Sequence, residues 1–307
     1  MNKIKFPTLV ILLGPTGVGK TALSVRIASH FHTEIISCDS RQLYKEMSIG
    51  TAVPEQSQLD QVPHHFVGSN SIREPYNAAR FEMEVLERLE SLFANHPLVV
   101  MTGGSMLYID AVCNGIDDLP DIDPELRSTL IARMKQDGIE QLRAELKLLD
   151  PDYYREVDLQ NPVRIIHALE VCYTTGKTFS SQRTKTSKER NFHMLKIGLN
   201  RDRNELYDRI NSRVDEMMQT GLEAEVRSLL PYRELNTLHT VGYRELFDHF
   251  DGLCTLEEAT EKIKANSRKY ARKQLTWFRK DQQIQWFHPD QGEEIMQLIA
   301  DFTRQQS

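Results

Sequence analysis

Closely spaced cysteines and long hydrophobic runs are both missing from this sequence of 307 residues. The four cysteines lie far apart with no CxxC spacing, which argues against a zinc cluster and favours reduced thiols; they are Cys38, Cys113, Cys172 and Cys254. No segment has the roughly 20 apolar residues needed to cross a bilayer. The basic and apolar start of the chain resembles a secretory signal, but it leads directly into a glycine-rich segment that cleavage would destroy. We therefore expect a cytoplasmic protein that does not bind membranes.

An excess of positive charge is also missing, yet basic residues are concentrated in one segment. Lys and Arg total 38 against 44 Asp and Glu, a formal net charge of -6. This balance argues weakly against a nucleic-acid partner, because polyanion binding needs clustered cations. Residues 262–280, KIKANSRKYARKQLTWFRK, nevertheless carry eight basic side chains and no acid. The distribution of charge is therefore more informative than its sum.

The segment 262–280 has the pattern of an amphipathic helix with one basic face. At about 100° per residue, four lysines fall within about 40° of one another and three arginines widen the arc. These residues are Lys262, Lys269, Lys273, Lys280, Arg268, Arg272 and Arg279. Apolar residues on the other side predict the face packed on the core: Ile263, Tyr270, Ala271, Trp277 and Phe278. Because acids usually interrupt a merely solvated charged face, we interpret the basic face as a contact for a nucleic-acid backbone.

A glycine-rich segment follows the first apolar run, LVILL. Residues 14–21 fit the pattern G-x-x-x-x-G-K-[ST] between a predicted strand and a predicted helix; they are Gly14, Pro15, Thr16, Gly17, Val18, Gly19, Lys20 and Thr21. Backbone N–H groups and the helix N-terminus would form an anion nest, Lys20 would bring a positive charge to the terminal phosphates, and the Thr21 hydroxyl suits Mg²⁺. The loop alone does not distinguish a kinase, a nucleoside triphosphatase and a transferase that expels diphosphate.

The order of apolar segments indicates an α/β fold. Strands are predicted at residues 9–13, 34–38 and 98–101, with helices after Lys20 and at 76–93, and this alternation is typical of parallel βαβ units. We therefore predict a P-loop NTPase-like parallel sheet with helices on both faces.

The pattern changes at about residue 116. Helices are predicted at 123–149 and 162–174, before a strand returns at 194–199 and an amphipathic helix follows at 204–218. A sheet that is interrupted and then resumed implies an insertion. We place a mostly helical inserted domain at 116–193, within a core formed by 1–115 and 194–307, whose last part from residue 222 is predicted to be helical.

An acid is missing from the end of the strand at 98–101, where an ordinary P-loop NTPase holds its metal. That strand runs directly into Thr102-Gly-Gly-Ser105. Asp39 instead follows the preceding strand. Because carboxyl ends of neighbouring parallel strands meet at one crevice, we expect Asp39 near the phosphate loop. It could hold metal-bound water or take a proton from an acceptor, and the alternative is a helix-cap or turn residue.

Several segments together resemble the tRNA dimethylallyltransferases, also called tRNA isopentenyltransferases. They are GPTGVGKT, SCDSRQLYKEMSIGTAVP, GGSMLY, NPVRIIHALEV, GLEAEV, VGYRE and RKQLTWFRK, in consistent order from residue 14 to about 280. The resemblance implies transfer of a dimethylallyl group from dimethylallyl diphosphate to N6 of the adenosine just 3′ of the anticodon, in tRNAs reading codons that begin with U. Residues 14–21 would then hold the diphosphate leaving group with Mg²⁺.

The resemblance also implies roles for residues of the sheet domain. Asp39 matches the family's base, and the stretch with Ser40, Arg41 and Gln42 matches a tRNA contact. Ser105 stands where the family usually has Thr, a hydroxyl near the reacting groups and the RNA. Arg209 and Arg213 match positions of which at least one reaches the diphosphate; a solvated helix face, with Glu205 paired to Arg209, is the alternative.

Further positions are implied as RNA contacts. The inserted domain corresponds to the family's tRNA-gripping insert, in which Arg127 and Arg164 match arginines that meet the RNA. Val163 and His167 stand where the family usually has a glutamine and an arginine, and His167 is still expected to contact the RNA. Near the C-terminus, the expected RNA contacts are Gly242, Tyr243, Arg244, Lys269, Arg272 and Lys273.

Two other functions are weighed against this one. A small-molecule kinase of the P-loop class would explain residues 14–21 and Asp39, but not the acid-free basic helix or the helical insert. A regulatory NTPase or RNA-binding module would need a strand-end acid or a guanine-reading Asn-Lys-x-Asp motif, and the sequence has neither. The expected partners are a tRNA anticodon stem-loop and dimethylallyl diphosphate, with Mg²⁺ as the cofactor and a monomer as the expected state.

Overall fold

A computed structural model describes residues 7–117, 123–183 and 187–306. The chain divides into two compact units. The first comprises the residues up to Cys113 together with those from Glu189 onwards, and the second is Asn114–Lys188. The predicted insert was 116–193. The second unit therefore starts two residues earlier than predicted and ends five residues earlier than predicted.

The first unit contains a parallel sheet. Its strands in the described residues are β1 Thr8–Leu13, β2 Ile35–Cys38, β3 His64–His65, β4 Leu98–Gly103, β5 His193–Leu199 and β6 Gln285–Phe287. Their order is β3-β2-β4-β1-β5-β6, and every pairing is parallel. All six residues of β1 are buried, as expected for a strand covered on both faces.

Fourteen α-helices complete the described part of the chain. They are α1 Lys20–His30, α2 Gln56–Leu59, α3 Ala78–Phe93, α4 Met106–Asn114, α5 Pro124–Asp137, α6 Ile139–Leu149, α7 Pro151–Glu156, α8 Pro162–Thr175, α9 Phe179–Gln182, α10 Arg203–Gln219, α11 Leu222–Ser228, α12 Tyr243–Phe250, α13 Leu256–Phe278 and α14 Gly292–Gln306. Two short 3₁₀ turns lie at Leu230–Tyr232 and Asn236–Leu238.

Helices pack on the sheet through alternate residues of its strands. Val10 and Leu12 of β1 share one apolar cluster with Ile27 of α1 and Ile299 of α14. Helix α3 packs on β4 and buries Phe81 on its inner side. The predicted fold class, a P-loop-like parallel sheet with helices, is confirmed.

The second unit is mostly helical and has its own apolar core. Leu142 and Leu146 of α6 pack with Ile165 and Leu169 of α8. The ends of these helices follow local rules. Asn161 caps α8 by accepting a hydrogen bond from the backbone of Arg164, and a left-handed glycine, which favours helix ends, follows the last residue of α8.

Three local predictions differ from the structure. The helix expected at 123–149 is two helices, because Gly138 between them has φ 81° and ψ 173°, outside any helical conformation. Strands β3 and β6 were not predicted, since runs of two and three residues are too short to show a period of two. They lie at the two edges of the sheet, so the central topology is unaffected.

Gly103, the last residue of β4, gives a stability test. A Cβ atom there would overlap the carbonyl oxygen of Cys38 on the neighbouring strand. Because backbone cannot move aside as a flexible side chain can, we expect Gly103→Ala to lower the free energy of unfolding by about 3 kcal/mol, measured by denaturant unfolding. Gly252→Asn is the control. This glycine has φ 75° with open space around it, and Asn tolerates that region. Equal stability of the two variants would contradict the prediction.

Candidate functional site

A cleft of about 1340 Å³ opens at the carboxyl ends of the strands in the first unit. This is where parallel sheets generally bind ligands. The phosphate loop, Asp39, Ser105, both predicted arginines of α10 and two lysines of α13 all line it. The structure therefore brings these sequence-predicted groups of the first unit together.

The phosphate loop has the backbone expected of an anion nest. Gly17 and Gly19 have φ values of 78° and 108°, a region that favours glycine. Gly19 directly precedes α1, so the first N–H groups of this helix face the cleft end of the loop. The Lys20 Nζ donates hydrogen bonds of 3.0 and 2.9 Å to the carbonyl oxygens of Gly14 and Pro15. The ammonium group is thus held over the loop itself.

Burial lowers the pKa of Lys20 to about 8. The nearby Asp39 carboxylate opposes this shift, and the Arg213 guanidinium adds to it. Lys20 is therefore charged at neutral pH and loses its proton at moderately alkaline pH.

Three arginines surround the loop. The Arg209 Nε donates to the Gly17 carbonyl at 2.9 Å, and the Arg213 Nη2 donates to the Ala52 carbonyl at 3.4 Å. Burial lowers the pKa of Arg213, while Asp39 opposes the shift.

Arg201 was not predicted as a site residue. Its Nε donates to the Val18 carbonyl at 2.9 Å, and its side chain is paired with Glu205. Glu205, which the sequence suggested as a partner of Arg209, thus pairs with Arg201 instead. The position of Arg201, just after the end of β5, is the signal that would have identified it.

Asp39 is both a turn residue and a cleft residue. Its Oδ1 accepts hydrogen bonds from the backbone N–H groups of Arg41 at 2.9 Å and Gln42 at 3.4 Å, which is an Asx-type turn. The carboxylate also interacts electrostatically with Lys20 and Arg213. The turn thereby fixes one oxygen and holds the carboxylate beside the cations of the donor side.

The hydroxyl of Ser105 supports this turn. Ser105 is buried, and its Oγ accepts a hydrogen bond from the Ser40 backbone at 2.8 Å and donates one to the Ser40 Oγ at 3.2 Å. The position is thus tied to the residue after Asp39.

Arg41 and Gln42 both line the cleft. The Gln42 Oε1 accepts from the Ser37 Oγ at 3.1 Å, and its Nε2 donates to the carbonyls of Thr51 and Ala52. The Gln42 amide therefore holds the next loop of the chain, and its contact with RNA stays a prediction.

The segment around α12 corrects one predicted contact. Gly242 and Arg244 line the cleft, but the Tyr243 side chain is completely buried, and its hydroxyl donates to Glu225 at 2.7 Å. Tyr243 is therefore a supporting residue, and its side chain cannot contact RNA in this structure. Glu245, at 4% exposure, accepts hydrogen bonds from the Gly242 backbone and from Asn266 of α13.

Helix α13 places two of its lysines along the cleft. Lys269 and Lys273 line it, and the Arg272 Nη1 donates to the Tyr207 hydroxyl at 3.0 Å. On the opposite side, Ala271 and Phe278 are buried, in agreement with the apolar stripe.

Two aromatic residues of that stripe are not in the core. Tyr270 is 38% exposed and lines the cleft. Trp277 is 39% exposed and donates from Nε1 to Asp110 at 3.0 Å. The prediction that these two side chains pack in the core is wrong, because periodicity shows which side of a helix faces inwards but not whether a cleft lies there.

Gln274 is a buried polar residue that the sequence analysis missed. Its Oε1 accepts from the Thr16 backbone at 2.9 Å, and its Nε2 donates to the Gly104 carbonyl at 2.8 Å. The basic helix is thus joined directly to the phosphate loop and to the segment before Ser105. A neutral polar residue within the apolar stripe was the signal for it.

The predicted RNA contacts of the second unit lie on α5 and α8. Arg127 forms two hydrogen bonds of 2.6 Å to the completely buried Glu170, and His167 lies 3.4 Å from the same carboxylate. Arg164 and Val163 are exposed at the start of α8.

The donor set of the cleft fits one kind of metal ion. No cluster of three or more His, Cys, Asp or Glu side chains that could hold a metal occurs in the described ranges. Mg²⁺ bound to phosphates needs only one or two protein ligands, because waters and phosphate oxygens complete its shell. The Thr21 hydroxyl, which lines the cleft, is an oxygen donor that would suit such an ion.

The state of the cysteines and the lengths of the helices agree with what the sequence predicted. All four cysteines are free thiols. None of the helices in the described residues is long and apolar enough to cross a membrane.

The IPP transferase family model matches residues 42–281. The chain belongs to the IPP transferase family. A relative, tRNA dimethylallyltransferase 1 of Bacteroides thetaiotaomicron, is 59% identical over 293 residues, which is 95% of each chain. The predicted family is therefore confirmed.

Solved structures of other IPP transferases resemble the whole chain. The full-length tRNA isopentenylpyrophosphate transferase of Bacillus halodurans is 35% identical with a TM-score of 0.72, and the match covers 97% of both chains. A eukaryotic dimethylallyltransferase, solved acting on tRNA, is 26% identical with a TM-score of 0.74, and the match covers 89% of this chain and 70% of that one.

The pKa of Lys20 predicts how donor binding depends on pH. A diphosphate binds the ammonium form, which is present below the pKa of about 8. We expect the Kd for dimethylallyl diphosphate with Mg²⁺, measured by calorimetry, to be constant from pH 7 to 7.5 and to rise above pH 8, approaching about tenfold per pH unit. Lys20→Arg is the control, since a guanidinium keeps its charge. A Kd independent of pH up to 9.5 in the parent protein would refute this account.

The cleft lysines predict the salt dependence of RNA binding. Lys269→Ala and Lys273→Ala should each reduce the slope of log Kd against log salt for an anticodon stem-loop by about 1. Lys264→Ala is the matched control on the same helix, because Lys264 is paired with Asp215 and Glu261. Slopes that are equal in all four proteins would contradict RNA contact by these lysines.

Proposed function

We propose that this IPP transferase moves a dimethylallyl group from dimethylallyl diphosphate to N6 of the adenosine immediately 3′ of the anticodon, in tRNAs reading codons that begin with U. The products are N6-isopentenyladenosine and diphosphate. One observation carries the proposal: the phosphate loop, a carboxylate held by its own turn, and the basic face of α13 line the same cleft.

The donor side is built to bind a leaving group that gains charge. Lys20, Arg209 and Arg213 lie around the glycine-rich loop. As the C–O bond of the donor breaks, negative charge grows on the diphosphate, and prearranged cations and N–H groups stabilise it. Mg²⁺, held by the Thr21 hydroxyl and the phosphate oxygens, would neutralise part of this charge.

The acceptor side needs a base. The lone pair of an exocyclic adenine amine is delocalised into the ring, so attack benefits from removal of its proton. The N6–C bond forms as the C–O bond to diphosphate breaks, and the N6 proton passes to the Asp39 carboxylate. Ser105, through its hydrogen bonds to Ser40, keeps the turn of Asp39 in place.

The RNA side consists of basic groups on both units. Lys269, Lys273 and Arg244 of the first unit would contact the phosphate backbone, as would Arg127 and Arg164 of the second. Such contacts position the RNA, while the pocket in the cleft accepts one unstacked adenosine. The proposed state of the working enzyme is a monomer.

The direct test is to measure the mass of the RNA after the reaction by mass spectrometry. The protein is incubated with Mg²⁺, dimethylallyl diphosphate and an unmodified anticodon stem-loop, and a gain of one C5H8 unit on the target adenosine is expected. A stem-loop with guanosine at that position is the control. Unchanged RNA, together with ATP-dependent phosphorylation of a small molecule, would favour the kinase instead.

Asp39→Asn separates chemistry from binding. The amide oxygen still accepts the hydrogen bonds from Arg41 and Gln42, but it cannot take a proton. We expect kcat to fall by about 10²- to 10⁴-fold, with the Kd values for donor and stem-loop nearly unchanged.

Asp60→Asn is the control for this variant, since Asp60 is exposed. If Asp39→Asn weakened binding and turnover equally, Asp39 would be a structural residue.

A further inference from the structure

Glu225 has no part in the reaction described above, although it lies in the GLEAEV segment of α11. Its carboxylate accepts five hydrogen bonds. Oε2 accepts from the Ser48 backbone at 2.9 Å, the Ser48 Oγ at 3.1 Å and the Ile49 backbone at 2.7 Å. Oε1 accepts from the Gly50 backbone at 3.0 Å and the Tyr243 hydroxyl at 2.7 Å. One acid thus binds three successive backbone N–H groups, an arrangement that suits an anion.

Tyr243 fixes this carboxylate from its other side. The tyrosine is completely buried, and burial raises its pKa, so the phenol stays protonated and remains a donor. The loop also touches the tyrosine ring, because a Cβ atom at Gly50 would lie 2.7 Å from it. Only glycine fits at that point without displacing Tyr243.

The loop held by Glu225 forms one wall of the cleft. Its next two carbonyl groups, of Thr51 and Ala52, accept hydrogen bonds from the Gln42 side chain, and the Ala52 carbonyl also accepts from Arg213. Ala52 has φ 49°, an uncommon conformation for a residue with a side chain, which the surroundings must maintain. The loop therefore connects Glu225, which binds the N–H groups of residues 48–50, with Arg213, which donates to the carbonyl of residue 52.

We propose that Glu225 is a positioning residue: it fixes the loop 48–52 so that Arg213 is directed at the diphosphate of the donor. This inference rests on the function proposed for the cleft. It also explains why the carboxylate of a residue that does not react accepts hydrogen bonds from three backbone N–H groups and two hydroxyl groups. Without Glu225, three N–H groups lose their acceptor, the loop moves, and Arg213 loses the carbonyl that orients it.

The test compares three variants with one control. In Glu225→Ala, we expect the KM for dimethylallyl diphosphate to rise about tenfold, because several charge-assisted hydrogen bonds are lost, while the Kd for the stem-loop alone stays within about twofold. Glu225→Gln should have a smaller effect, since its amide oxygen still accepts from Ser48 and Ile49. Tyr243→Phe removes one of the five bonds and should also raise this KM by less than Glu225→Ala.

Glu223→Ala is the matched control, because Glu223 lies on the same helix and pairs with Arg227. It should leave the KM unchanged. A merely structural role for Glu225 would lower the fraction of folded enzyme, and hence the apparent kcat, without changing the KM. If Glu225→Ala does not fold, the KM values of Glu225→Gln and Tyr243→Phe distinguish the positioning role from a structural one.

A second readout is independent of activity. Hydrogen exchange of residues 48–52 should be faster in Glu225→Gln than in Glu223→Ala, and the Kd for inorganic diphosphate with Mg²⁺ should be weaker. Unchanged exchange, or an unchanged Kd and KM in a folded variant, would overturn the positioning role. Failure of the parent protein to modify RNA would refute the proposed function instead, and these two binding measurements would still test Glu225.

Discussion

Repulsion between cations is the constraint on which this cleft depends. Lys20, Arg209 and Arg213 line it, and like charges that lie close together disfavour one another. Lys20 donates to the carbonyl oxygens of residues 14 and 15, Arg209 to that of residue 17, and Arg213 to that of residue 52 in the next loop. Arg201 donates in the same way to the carbonyl of residue 18. Asp39 provides a further opposing charge. The cations are thereby oriented before any ligand arrives, which is the condition for electrostatic stabilisation without reorganisation.

The loops that carry these carbonyls are joined by a few side chains rather than by the sheet alone. Gln274 joins the phosphate loop to the segment after β4, and Gln42 joins the turn of Asp39 to the following loop. Glu245 joins the start of α12 to α13. Each of these polar groups is satisfied by specific partners, and a buried network of that kind favours one geometry over its alternatives. Parallel strands bring the loops to one edge, and these side chains then set their relative positions.

The sequence predicted the parts of this arrangement that depend on local pattern. Residues 14–21 and the central strands were found because a motif and a period determine them, and Asp39 was placed because parallel strands end at one edge. Gln274, Arg201 and the burial of Tyr243 depend on partners far away in the sequence, such as Glu225. The prediction that Tyr270 of α13 packs in the core was wrong for the same reason, since local spacing does not reveal a cleft between elements. The positions of these side chains were determined by their tertiary contacts and not by local propensity.

The missing acid at the end of β4 has a packing explanation. A Cβ atom at Gly103 would overlap the carbonyl of Cys38, and one at Gly104 would overlap the Gln274 amide. Gly103 therefore cannot carry the carboxylate with which an ordinary P-loop NTPase holds its metal, and at Gly104 the Gln274 side chain would have to move. The space is filled by Gln274, a residue of the same helix that presents Lys269 and Lys273 to the cleft. The helix that presents the basic face to the cleft therefore also packs against the end of β4, through the Gln274 amide.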